Sequence, residues 1–249
     1  MDRLIYTAAT GMTAAMTRQR VVASNLANAQ TIGFRAEMLQ STPMTLDGPQ
    51  LEVRALNSTA VRGANMQAGS IVETGNPLDI ALQGDAMLGV QTPDGGEGYT
   101  RRGDLSVSQT GVLQNGEGLP ILGQSGAPIT VPLGNKVTIT PDGDVMVQDP
   151  ATPDAPAAAV DKLKLAAFRG SQMEKDLTGI FRAPNGGILP VDETAKVIPA
   201  SLEQSNVKPT EVLVEMVEAQ RSFDMRTKLI ATAKELDEGG ASLMRITPG

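Results

Sequence analysis

The feature that most restricts the fold is a pair of heptad stripes, one towards each end of the chain. Met1, Ile5, Ala8, Met12, Ala15, Gln19, Val22, Leu26 and Ala29 follow one another at alternating steps of four and three residues, and Gln19 alone is polar. Val212, Met216, Ala219, Phe223, Arg226, Ile230 and Ala233 repeat the spacing, with Arg226 the one polar member. Apolar residues at this period give a helix one continuous apolar seam, which has to be covered. Asp2 is placed to cap the first helix, and Thr31-Ile32-Gly33 reads as its stop. Gly11 lies inside it and costs about 1 kcal/mol against Ala. That helix is weak alone but admits a partner at close range. Pro209 suits the first turn of the second helix, and Gly239-Gly240 reads as its end or a break.

Between the helices the pattern changes. Residues 36–205 hold most of the Gly and Pro. Short alternating runs read as strands: Leu78 to Leu82, Leu105 with Val107, Val137 with Ile139, Val145 with Val147, and Leu163 with Leu165 and Ala167. Turn signals separate them at Asp94-Gly95-Gly96, Asn115-Gly116 and Asp142-Gly143. Lys136 to Gln148, two runs around Pro141-Asp142-Gly143, is the clearest hairpin. Residues 149–160 read as a Pro/Ala-rich loop, and the stretch after residue 35 lacks periodicity. The expected class is α+β. Discontinuous N- and C-terminal helices pack together, coiled-coil fashion, around a central, mostly antiparallel β domain. The expected division is 1–35 N-terminal helix and turn, 36–75 extended connector, 76–200 β domain, and 201–249 C-terminal helix.

Composition excludes several chemistries. Among 249 residues there is no Cys, His or Trp. Disulfides, zinc-thiolate sites, thiol nucleophiles and Ser-His triads are therefore ruled out. The formal net charge of −7 disfavours a nucleic-acid partner. The excess acid sits in the middle, since residues 1–35 carry Arg3, Arg18, Arg20 and Arg35 against Asp2 alone. A basic end beside an acidic body suits self-assembly, although surface charge bias alone produces the same pattern. The beginning of the chain lacks a basic segment followed by an apolar one, so no cleaved signal peptide is expected. No window has the roughly 18 apolar residues of a membrane span, and direct membrane insertion is not expected.

Candidate sites are few. Asp79 and Asp85 are the nearest thing to a carboxylate pair, but in short strands they read better as turn and surface groups. Asp142, Asp144 and Asp149 do not reproduce a calcium loop. Gly95-Gly96 and Gly186-Gly187 lack the Lys of a phosphate loop. No catalytic, cofactor-binding or metal-binding residue is expected. The seams leave two layouts open: a hairpin closed within one molecule, or a tube built from many. Ala- and Met-rich seams at both ends favour the tube.

Four blocks of sequence add a resemblance. Thr7-Ala8-Ala9-Thr10-Gly11-Met12 with Ala23 to Phe34 (ASNLANAQTIGF) is the first. Thr74 to Asp85 (TGNPLDIALQGD) is the second. Gly98 to Asp104 (GYTRRGD) with Thr110-Gly111-Val112-Leu113 is the third, and Leu202 to Val207 (LEQSNV) the fourth. In this order and spacing they resemble bacterial flagellar rod and hook proteins over nearly the whole chain. The start Met1-Asp2 with Ile5-Tyr6, and Phe34-Arg35, are most similar to proximal-rod members. Ala86-Met87-Leu88-Gly89 departs from the Gly-Phe-Phe usual after Gly-Asp in distal-rod members.

The resemblance implies a structural rod subunit that transmits torque across the periplasm. It implies partners among other rod proteins and copies of the same chain, and passage through the flagellar type III export apparatus without a cleaved signal. It also implies a subunit interface on Ile5, Ala8, Met12, Ala15, Val22, Asn25, Leu26, Asn28, Gly33 and Phe34, and on Val212, Met216, Ala219, Phe223, Ile230 and Ala233. There Asn25 and Asn28 would bond across packed helices, Gly33 would make the turn, and Phe34 would plug a neighbour. Two rival readings are a monomeric β-domain adaptor and a carboxylate-dependent cell-wall glycan hydrolase. The latter is disfavoured by the scarcity of aromatics for sugar stacking.

Overall fold

The computed structural model describes residues 2–45, 55–152, 155–169, 173–176 and 178–245. Two compact units emerge. One comprises Met1–Ala27, Glu37–Arg62 and Lys208–Gly249, and the other Asn28–Ala36 and Gly63–Val207.

The first unit holds the two long helices, α1 (Asp2–Ala27) and α2 (Pro209–Arg245), packed on each other. They run antiparallel: Arg18 pairs with Glu218 at 3.9 Å, while Gly11 lies beside Arg226 further along. α2 opens on Pro209 as expected. The heptad spacing is visible in its burial. Val212 and Ala219 are buried, Met216, Phe223, Arg226 and Ile230 are half-buried, and nearly every intervening residue described is exposed.

Both helix ends differ from expectation. α1 stops at Ala27, so Ala29, the last heptad position, lies in the following turn. There the Thr31 hydroxyl donates to Asn28 Oδ1 at 3.1 Å and the Thr31 amide to the Asn28 carbonyl at 3.1 Å. Such local bonds compete with helix continuation. α2 runs through Gly239-Gly240, because glycine lowers helix propensity without forbidding the conformation.

Residues 36–75, expected as an extended connector, include strands. β1 (Glu37–Thr45) pairs with β2 (Ala55–Ala64), and β3 (Ile71–Glu73) follows. None of these three alternates cleanly in sequence, so the period-2 signal that reveals a strand is missing.

The second unit is a β body of short strands: β4 (Ile80–Leu82), β5 (Ala86–Gln91), β6 (Glu97–Thr100), β7 (Leu105–Val107), β8 (Leu113–Asn115), β9 (Lys136–Ile139) and β10 (Asp144–Gln148). They continue with β11 (Ala158–Lys162), β12 (Leu165–Ala167), β13 (Glu174–Lys175), β14 (Phe181–Arg182), β15 (Val197–Pro199) and β16 (Ser201–Glu203). Its largest sheet has the order β12-β5-β6-β14-β13, a second is β11-β10-β9, and β15-β4, β16-β3 and β7-β8 are two-stranded. Every strand pair in this body with a defined register is antiparallel. The β9–β10 hairpin forms as read, with Val145 opposite Ile139 and Gly143 at φ 84°.

β4 is a correction. Its three residues are all buried, so the apparent alternation of Leu78 to Leu82 does not mark one wet face. Ile80, Leu82, Leu88, Leu113, Ile121 and Leu163 join one aliphatic core, and Met87, Tyr99 and Phe181 a second. Met87 and Leu88, at the departure from the Gly-Phe-Phe pattern, thus fall in different clusters.

Candidate functional site

Three of the quoted sequence blocks, together with Arg35 just beyond the first, meet inside the β body at one carboxylate. Glu203, on β16, is 1% exposed, as are the side chains of Arg35 and Arg101. Arg101 donates from Nε and Nη2 to Glu203 Oε2 at 2.8 and 2.6 Å. Its remaining N–H groups reach the carbonyls of Leu82, Gly84 and Ala86 at 2.7–2.8 Å, which lie in or beside the second block. Arg35 Nη2 sits 2.6 Å from Glu203 Oε1, and its Nη1 donates to the Gln67 carbonyl. The Gly69 amide also donates to Glu203 Oε1, at 2.8 Å. Burial pushes the Arg35 guanidinium below its ordinary pKa, opposed by Glu203 and reinforced by Arg101.

Burying charge is tolerated only when its partners and hydrogen bonds are supplied, and here they largely are. Both carboxylate oxygens of Glu203 are occupied, and the group braces the fold. The segment that follows α1 and the one that precedes α2 are clamped here to the same point. Gly33 belongs to the clamp. Its amide donates to the Glu203 carbonyl at 2.8 Å, its φ is 67°, and a Cβ there would run into the Arg101 backbone.

The expected interface residues fall in two sets. In the helical unit, Met12 and Leu26 are half-buried, and Ala15, Val22 and Asn25 buried. Ile5, Ala8 and Ala233 lie on the helices, but their side chains fall outside those described. Asn25 corrects its expectation. Instead of bonding across to another helix, it donates to the Glu37 carbonyl at 3.1 Å and accepts from the Glu37 amide at 2.8 Å, holding the start of β1. In the β body, Phe34 lies under Lys175, whose ammonium is 3.6 Å from the ring centre, and Lys175 also donates to the Arg35 carbonyl at 2.9 Å. This is a contact within the chain.

Asp79 and Asp85 form no catalytic pair. Asp79 is bound by the Thr74 hydroxyl at 2.6 Å and the Asn76 amide at 2.9 Å, and Asp85 faces Arg169 at 2.6 Å. A second buried cluster, Lys164–Glu97–Tyr99, is equally closed. Lys164 Nζ and the Tyr99 hydroxyl reach Glu97 at 2.7 and 2.5 Å, and Leu189 N–H donates to the phenol oxygen at 2.6 Å. Burial, with Glu97 adding to it, pushes the phenol pKa up.

Sequence reasoning did not single out Arg35, Arg101 or Glu203. The available signal was that charged residues sat inside or beside otherwise apolar or glycine-rich blocks. It could not say which of Arg101 and Arg102 turns inward: Arg102 faces Asp104 at 2.7 Å, half-buried.

Two long helices, separated in sequence, pack together in one unit, and buried ion pairs brace a β body in the other. Family comparisons agree in detail. Residues 5–35 match "Flagella basal body rod protein", residues 81–147 the "Flagellar hook protein FlgE/F/G D1 domain", and residues 198–243 "Flagellar basal body rod FlgEFG protein C-terminal". The chain is 40% identical to the flagellar basal-body rod protein FlgF of Salmonella typhimurium, covering 97% of this chain and 98% of that one. It is 39% identical to FlgF of Escherichia coli, over 94% and 95%. Identity to the rod protein FlgG of Bacillus subtilis is 28%, over 98% and 100%. The chain belongs to the flagellar basal-body rod protein family.

Proposed function

We propose that the chain is a proximal-rod subunit of the flagellar basal body, polymerising through its terminal helices into part of the shaft that carries torque across the periplasm. The observation that supports this most directly is the pairing of α1 with α2, helices from opposite ends of one chain, in a single unit. Identity of 40% and 39% to the FlgF proteins of Salmonella typhimurium and Escherichia coli, against 28% to FlgG of Bacillus subtilis, supports the proximal position. On this reading the partners are other rod proteins and further copies of the chain. Export runs through the flagellar type III apparatus in an unfolded state, with no signal cleaved. Helices with Ala-rich seams and an internal Gly11 suit that route, since they gain little from folding before neighbours are present. The role is structural and not enzymatic.

The test is complementation. A strain lacking its own proximal-rod subunit and expressing this chain should regain motility, and the chain should be recovered in isolated basal bodies. Absence from basal bodies, with normal expression, overturns the proposal.

A further inference from the structure

A side-chain amide stands in for a backbone bond at the base of the β1–β2 pair. The Asn65 N–H, just past β2, donates to the carbonyl of Ala36, just before β1, at 2.8 Å. The start of one strand thus meets the end of the other, as in an antiparallel hairpin. In such a ladder two facing residues exchange both of their bonds. Here the Ala36 N–H does not return to Asn65. It donates to Asn206 Oδ1 at 2.7 Å, and Asn206 Nδ2 donates to the Asn65 carbonyl at 2.7 Å and to the Gln67 carbonyl at 2.8 Å. The amide closes the circuit by donating and accepting at once, which no ionised carboxylate or apolar side chain of its size can do. The backbone N–H of Asn206 reaches the Phe34 carbonyl at 3.3 Å. The next residue along, Glu37, is held at both of its backbone polar groups by Asn25.

We infer that Asn206 is a positioning residue that fixes the register of β1 against β2, with Ala36 opposite Asn65, while Asn25 fixes where β1 begins. These strands need such a device. Register is set firmly where alternating side chains bury one face, and weakly where they do not. β1 (EMLQSTPMT) and β2 (ALNSTAVRGA) show no sustained alternation. A slip of two residues would keep every side chain on its own face, so the hydrophobic pattern does little to oppose it. The amide does oppose it, because Phe34 fixes its place on the β1 side and the Asn65 and Gln67 carbonyls must reach it there. Counting outward from Ala36 and Asn65, Glu37 falls opposite Ala64 and Thr45 opposite Leu56, inside the bounds of both strands. The same count gives Pro43 a position whose N–H would point away from β2. A proline lacks that group and is tolerated there. A slip of one residue would turn Pro43 into the ladder. The register is a property of the folded chain and does not depend on rod assembly.

The chain has no cysteine, so introduced thiols report the register directly. Met38→Cys, Val61→Cys and Gly63→Cys are combined in the full purified chain. Position 38 then chooses between its facing partner at 63 and a partner two residues out of register at 61. Met38 is exposed, and a Cβ at Gly63 meets open space. Facing residues of an antiparallel pair lie within disulfide reach. After equilibration in a glutathione buffer, peptide mapping should find the 38–63 disulfide in roughly tenfold excess over 38–61. Adding Asn206→Leu should cut that ratio by about fivefold. Asn206→Asp keeps the shape and the acceptor but lacks both donors, and should cut the ratio by about twofold or more. A ratio near one with Asn206 in place overturns the register. A ratio that neither change at Asn206 moves, whatever happens to the unfolding temperature of the β body, shows a stabilising residue only and overturns the positioning role. Where circular dichroism shows that Asn206→Leu does not fold, Asn206→Asp decides alone.

Discussion

Arg101 and Glu203 lie 102 residues apart in sequence and share a 2.6 Å ion pair at a point sealed from solvent. The pair, with Arg35 on the other carboxylate oxygen, ties three distant stretches of chain to one site. Glu203→Gln leaves two guanidinium groups buried without a counter-charge. Breaking a buried pair in this way costs about 3–5 kcal/mol. Denaturant unfolding followed by circular dichroism should show this loss. Glu218→Gln, which removes the half-exposed partner of Arg18, should change stability by about 0.5 kcal/mol or less.

Two glycines separate backbone strain from steric fit. Gly33 and Gly75 both have positive φ, 67° and 75°. A Cβ on Gly75 meets open space, so Gly75→Ala should cost about 1 kcal/mol, the left-handed strain alone. Gly33→Ala adds a collision with the Arg101 backbone beside the ion triad. It should cost clearly more, measured as a difference in unfolding free energy between the two variants.

The Asn25 side chain replaces a backbone partner for both polar groups of Glu37. Asn25→Ala removes both bonds, at a cost of about 1–3 kcal/mol. Hydrogen exchange read at the Glu37 amide should accelerate, while amides in the β9–β10 hairpin keep their protection.

Acid sensitivity has an identifiable contributor. Asp94 accepts from Arg182 at 2.8 Å and from the Thr92 hydroxyl, and these bonds hold its carboxyl well below the ordinary carboxylate range. A pKa lower in the folded than in the unfolded state stabilises the fold above the unfolded value of about 3.9, and the contribution fades as pH falls below it. Asp94→Asn should therefore be less stable than the parent at pH 7, and the gap should narrow on titration to pH 2. A gap independent of pH would show that the carboxylate's charge is not what matters.

Phe223 is the largest apolar side chain on the α2 seam and is half-buried there. Phe223→Asp brings a carboxylate against α1, with a penalty of several kcal/mol if it stays unpaired. Motility and rod assembly should be lost while the β body keeps its unfolding transition.

Much of this architecture is written locally. The seam of α2 could be read because a helix repeats every 3.6 residues, whatever it packs against. The β9–β10 hairpin was legible for the same reason, since Pro141-Asp142-Gly143 dictates its turn from neighbouring residues alone. β1 and β2 were not, because they lack alternation. Neither was the end of α1, where Asn28 and Thr31 bond to each other and compete with one more helical turn.

What the amino-acid order determined by itself was therefore most of the elements: two heptad helices at the ends, many of the short antiparallel strands between them, and no Cys or His chemistry. The tertiary structure decided what the charged residues do. Arg35, Arg101 and Glu203 look like ordinary surface groups in sequence, because a charge carries no periodicity that announces its burial. They become a brace only when β16, the Arg101 segment and the turn after α1 converge, a long-range event that no window of sequence contains. The same holds for α2. Its spacing marks one seam, but only the packing of α1 on that seam shows which apolar side chains remain bare on the other side.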